Sequence, residues 1–181
     1  MLHIAWRPNL NRAGAGLAVG RLGDVLRRRL RSLADAVSRP VGRTASIMVV
    51  PTTPLLQQIL DEYGLKHSID EDGDLQVRWE KCSLFFFHYG DDNEVLQARM
   101  YLNRRFPVEM RPTLALALDD WNRTKLFPKA YTVLPDDGMV GICAEQAFDF
   151  ERGATRDQIN HTVGVWIDTL LRFTEWVEEQ I

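Results

Sequence analysis

Cysteine is scarce in this chain: two in 181 residues, Cys82 and Cys143, with no CxxC and no Cys/His spacing around them. They cannot by themselves supply the four ligands of a structural zinc site. Two readings are left, a pair of buried unoxidised thiols in a reducing compartment or one long-range disulfide. Histidine is as sparse: His3, His67, His88 and His161 are scattered, with no HxxxH or HExxH, so no metal site is expected. Long apolar runs are missing too. The longest, AGAGLAVG at 13–20, falls far short of the ~20 residues a membrane-spanning helix needs.

Motifs for nucleotide and acyl chemistry are also wanting. GAGLAVG at 14–20 spaces its glycines one residue too wide for a dinucleotide fingerprint, and there is no GxxxxGK[ST] or GxSxG. DEDGD at 70–74 fails as a calcium loop, because Leu75 stands where glycine is required and Lys81 takes the closing glutamate position. Asp119 and Asp120 adjoin on a predicted helix, so their carboxylates diverge by about 100° and cannot share a proton. No catalytic residue and no cofactor are expected.

What is present is 45% hydrophobic and 26% charged residues, the balance of a globular chain long enough for one domain and an appendage. The formal net charge of -3 hides two unlike segments. Residues 1–43 hold nine arginines against Asp24 and Asp35, or +7, which leaves thirteen basic and twenty-three acidic residues, or -10, for 44–181. Residues 1–47 therefore read as a basic extension and 48–181 as an acidic folded body.

Within the extension, Leu22, Val25, Leu26, Leu30, Leu33 and Val37 recur at helical spacing between arginines, a candidate amphipathic helix over 21–39 ending before Pro40. Arg27, Arg28, Arg29 and Arg31 would contact an anionic membrane or nucleic acid. Two other readings stand beside this one: the helix lies on the acidic body or stays solvated, or translation starts at Met48. An organelle transit peptide fits less well, because the first 20 residues lack a clean amphipathic helix.

In the body, Thr53 as cap, Pro54 in the first turn and Gly64 at the end bound a helix whose apolar face is Leu56, Ile59, Leu60 and Tyr63. Period-two stretches follow at about 65–69, 75–79, LFFFHY and 96–102, the first two joined by the DEDGD turn. Pro112 opens a second helix in which Leu114, Ala117, Leu118 and Trp121 share a stripe. A hairpin comes next, strands near 130–134 and 139–148 joined at PDDG. Last, Thr155 and Gln158 form a capping box before a helix with Ile159, Val163, Trp166, Ile167, Leu170, Phe173 and Val177 on one stripe. Strands and helices in separate blocks predict an α+β fold, a mainly antiparallel sheet with helices at start, middle and end.

The most distinctive stretch is WNRTKLFPKAY at 121–131, between the second helix and the hairpin. Together with LDEYGLKHSIDEDGDLQVRW, RRFP and the long last helix, it resembles the YbjN family, labelled bacterial sensory transduction regulators. The resemblance covers about 52–180 and implies a fold similar to type III secretion chaperones, often homodimeric, with no established enzyme activity. The matching signature residues are Trp121, Asn122, Arg123, Phe127, Pro128, Lys129 and Tyr131. Trp121, Phe127 and Tyr131 are expected to be structural anchors, with Asn122, Arg123 and Lys129 supplying hydrogen bonds and charge.

The expectation is a non-catalytic, cytoplasmic interaction module, chaperone-like or a regulatory adaptor. It would bind itself and an unidentified protein partner. The alternative is a membrane- or nucleic-acid-associated regulator acting through 21–39.

Overall fold

A computed structural model describes residues 47–181. The candidate helix 21–39, with Arg27, Arg28, Arg29 and Arg31, lies outside the described residues. In chain order the elements are β1 (Met48–Val49), α1 (Thr53–Glu62), β2 (His67–Ile69), β3 (Leu75–Arg78), β4 (Cys82–Tyr89) and β5 (Val95–Leu102). A short 3-10 turn, Val108–Met110, leads to α2 (Arg111–Thr124), β6 (Lys129–Val133), β7 (Gly141–Asp149), β8 (Ala154–Thr155) and α3 (Arg156–Gln180). The fold is α+β: β2 to β7 form one antiparallel sheet in the order β2-β3-β4-β5-β7-β6, and β1 pairs with β8.

Local chemistry sets the helix ends. The cap of α1 is Thr52, one residue before the expected Thr53, and its hydroxyl accepts the Leu55 N–H at 3.4 Å. Thr53 already belongs to the first turn, so its side chain cannot do this. Gly64, at φ 69°, takes the left-handed conformation that ends the helix. At α3 both halves of the capping box are made: Thr155 Oγ1 accepts the Gln158 N–H at 3.2 Å and Gln158 Oε1 accepts the Thr155 N–H at 2.9 Å.

Side chains alternate across a strand, so register decides which face each one serves. Leu75 and Val77, Cys82, Leu84 and Phe86, then Leu96, Ala98, Met100 and Leu102, with Ile142 and Ala144, project to an inner face. There they join Leu56 and Ile59 of α1, Leu114, Leu118 and Trp121 of α2, and Ile159, Ile167 and Phe173 of α3 in one core. Each Leu, Ile, Val, Phe or Met side chain fully buried there stabilises the fold by about 1.5–3 kcal/mol. The outer face holds a second, smaller cluster of Phe85, Tyr101 and Cys143, flanked by Phe87, Tyr131 and Val133, all from strands.

Both cysteines are free and buried, on opposite faces, so the disulfide reading does not hold. DEDGD forms the β2–β3 turn, with Gly73 at φ 90°. The β1–β8 pair was not legible in the sequence. Gly153 permits it: a Cβ there would lie 3.2 Å from Met48 Cβ and 3.3 Å from the Val49 backbone.

Candidate functional site

The signature stretch occupies the junction between α2 and the edge strand β6. Helical spacing puts Trp121 on the buried stripe of α2, 6% exposed, against Phe173 and Trp176 of α3 with ring centroids 5.0 Å away in each case. Its Nε1–H donates to the Pro128 carbonyl at 2.9 Å. Asn122 does what a neighbouring strand would do for β6. Its Nδ2 donates to the Ala130 carbonyl at 2.8 Å, and its Oδ1 accepts the Ala130 N–H at 2.9 Å. A side-chain amide thus closes one step of a sheet edge that would otherwise offer open backbone groups.

Beyond Pro128, alternation sends Ala130 to the inner face and Lys129 and Tyr131 to the outer one. Lys129 stands opposite Glu145 of β7, and Arg99 of β5 stands opposite the same residue. Glu145 accepts from Lys129 Nζ at 2.6 Å, Tyr131 Oη at 2.7 Å and Arg99 Nε at 2.9 Å. The two cations also sit over rings: Arg99 Cζ lies 5.3 Å from the Phe87 centroid and Lys129 Nζ 5.1 Å from that of Tyr131.

The electrostatics follow from this packing. Burial alone would push Glu145 up, but hydrogen bonds from Lys129 and Tyr131 and the charge of Arg99 outweigh it and hold the carboxyl below its ordinary value. Burial, then Cys143 and Glu145, push the Tyr131 phenol up. Burial pushes the Cys143 thiol up to about 12. At neutral pH that sulfur is protonated and a poor nucleophile. Chemically the arrangement is a closed lattice of donors and acceptors.

Two of the signature residues behave otherwise than expected. Phe127 is 54% exposed and anchors nothing in the core, and Leu126 beside it is 86% exposed. The backbone is already extended at Lys125 (φ -119°, ψ 139°), so the chain leaves the helix there and bows outward before Pro128 returns it to Trp121. Arg123 does not reach the junction; it pairs with Asp120 on the solvent side of α2. Arg99 and Glu145 escaped the sequence reading. They are far apart in the chain, and only strand order makes them neighbours, although each is a charge set among apolar strand residues.

Elsewhere, His88 Nε2 meets the Pro51 carbonyl at 2.8 Å, and His67 Nε2 meets Asp61 at 3.1 Å beside a shallow depression. Among the described residues no group of three or more His, Cys, Asp or Glu could hold a metal ion. No helix among them is long and apolar enough to cross a membrane.

A six-stranded antiparallel sheet with three helices packed on one face, closed at its edge by a Trp-Asn pair, defines an α+β domain of a particular kind. The chain belongs to the YbjN family, described as "Putative bacterial sensory transduction regulator", whose model matches residues 54–179. Among solved structures it is similar to YbjN from E. coli, described as "a putative transcription regulator". That likeness has 18% identity and a TM-score of 0.59, and covers 71% of this chain and 92% of that one. At this identity it shows the shared fold. No curated protein matches the chain.

Proposed function

We propose that this protein is a non-catalytic interaction module of the cytoplasm, a regulatory adaptor or chaperone-like protein that works as a homodimer. The family description as a regulator supports the regulatory half of this reading. The observation that carries the rest is the outward side of α2 and its following loop, where Leu116, Leu126 and Phe127 are 73%, 86% and 54% exposed. Large apolar side chains left in water beside a hydrogen-bonded junction are what a binding surface needs. Exposed apolar residues confined to one helix and the loop after it suit an isologous contact, in which each copy meets the same residues of the other.

The deciding measurement is solution mass by light scattering. The full chain is expected to be a dimer, and Leu126→Asp with Phe127→Asp a folded monomer. A native chain that stays monomeric at high concentration, or a double variant that stays dimeric, defeats the assignment.

A further inference from the structure

Strand β7 outruns the edge strand beside it. β6 pairs with it only from Gly141 to Glu145, because the chain bows away at Leu126–Phe127, and residues 146–149 continue beside β5 alone. The ladder fixes where their backbone groups point. Phe150 N–H donates to the Glu94 carbonyl at 2.8 Å, so even-numbered residues of β7 turn their peptide groups to β5 and odd-numbered ones turn theirs to the β6 side. Ala147 and Asp149 therefore each aim an N–H and a C=O into the space where β6 has ended. Among the described residues no hydrogen-bonding group meets them there. Ala147, Phe148 and Asp149 are all exposed, Phe148 by 58%.

We propose that this stretch of β7 receives an extended, basic peptide segment of a partner protein, lying in line with β6, with an apolar residue facing Phe148 and a lysine or arginine facing Asp149. An open row of backbone donors and acceptors is what an added strand pairs with. The added strand runs antiparallel to β7, the direction β6 already takes. Its residue opposite Phe148 falls in a non-hydrogen-bonded pair, where facing side chains approach most closely. Phe148 is steadied for that contact by Phe150, edge to face with ring centroids 4.9 Å apart.

Charge selects the occupant. The β4–β5 turn brings Asp91, Asp92 and Glu94 to the same end of the sheet as Asp149 and Glu151. Arg152 stands among them, and the next arginine, Arg156, is already paired with Glu62. A second copy set edge to edge on this strand would lay its own Asp149 and Glu151 beside these carboxylates, which like charge opposes. A basic segment relieves the same charge, and the acidic end steers it in. The slot is distinct from the exposed side of α2, so dimerisation and strand addition can fail separately.

The probe is an end-blocked heptapeptide of alternating lysine and valine, added to the full chain, with hydrogen exchange read at single amides by NMR. Bound peptide is expected to slow exchange at Ala147 and Asp149 by at least about tenfold and to leave the Ala130 amide, which Asn122 already holds, unchanged. Lysines facing Asp149 turn their own peptide groups to β7, so N-methylation of the lysines should abolish the effect and N-methylation of the valines should spare it. Ala147→Pro deletes an N–H on the open side and keeps the ladder to β5; it is expected to weaken binding by at least about tenfold. Asp149→Lys should weaken it about fivefold. If Ala147→Pro also strips protection from Phe150, the strand has loosened, and the two methylated peptides on the native chain decide. The proposal is overturned if the peptide at millimolar concentration leaves Ala147 and Asp149 unprotected, if both methylated peptides act alike, or if a glutamate-valine peptide binds as well as the lysine one. It is overturned too if these two amides are protected before peptide is added. Protection that falls on dilution would make a second copy the occupant, and protection that does not would make it the chain's own segment.

Discussion

On the inner face of the sheet, Leu84, Phe86, Met100 and Ile142 meet Ile159, Ile167 and Phe173 of α3 in an apolar layer. On the outer face Phe85, Tyr101 and Cys143 share their layer with Arg99, Glu145 and Lys129. The same strands carry both. Inner stability is proportional to apolar area and indifferent to pH. Outer stability depends on each charged group keeping its partner, because a half-buried ion without one is costly. Substitutions on the two faces should therefore differ in size, in pH dependence and in whether a second change can repair the first.

The largest effect belongs to the inner face. Trp121→Ala removes a 6% exposed indole packed on Phe173 and Trp176 and is expected to cost about 3–5 kcal/mol in urea unfolding. Phe127→Ala, six residues on but exposed, should stay within about 0.5 kcal/mol. Equal losses at the two positions would contradict the division of the signature into a buried and an exposed half.

Next in size is the outer network. Glu145→Ala leaves Arg99, whose side chain is 18% exposed, without its carboxylate, at an expected cost of about 2–3 kcal/mol. Adding Arg99→Met should restore part of that, since removing both charges also removes the uncompensated one. A double variant as unstable as the sum of the two singles would mean the pair acts through packing alone. Smaller again is Asn122→Ala, about 1–2 kcal/mol. Its particular mark is faster hydrogen exchange at the Ala130 amide, which Asn122 Oδ1 accepts at 2.9 Å; unchanged exchange there would show that Asn122 does not hold the edge.

The inner face was legible in the sequence and much of the outer one was not, for a physical reason. Helical and strand periods are local, so Leu114–Leu118–Trp121, the Thr155–Gln158 capping box and the alternation of Leu96, Ala98, Met100 and Leu102 can be read without knowing the topology. The Glu145 cluster exists only because β7 lies between β5 and β6, a matter of strand order. Alternation puts Gln76 on the side opposite Leu75 and Val77, but does not show that it is 5% exposed there. Phe127 was misplaced because aromatic residues are most often buried, a tendency that a two-residue outward bow at Leu126–Phe127 overrides.

The smallest expected effect tests the pH contrast. Asp74 opens β3 on the outer side, and its carboxyl is pushed up to about 6, by burial first and then by Asp70 and Asp72. A carboxyl whose folded value lies above its unfolded one contributes stability below the unfolded value and loses it as pH rises through the folded value. Glu145 runs the opposite way: held below its ordinary value, it contributes above the unfolded value near 4.3 and loses that as pH falls through the folded one. Wild-type stability should thus rise from acid as Glu145 ionises and then decline between about pH 4 and 7 as Asp74 does. Asp74→Asn removes only the second limb. With Asp74 partly exposed and screened, the gain at pH 7 is expected to be about 1 kcal/mol and to vanish near pH 4. Urea midpoints at pH 4, 5.5 and 7 measure it, and a gain that is the same at all three would place the Asp74 effect in packing and leave the outer face with one titrating carboxylate instead of two.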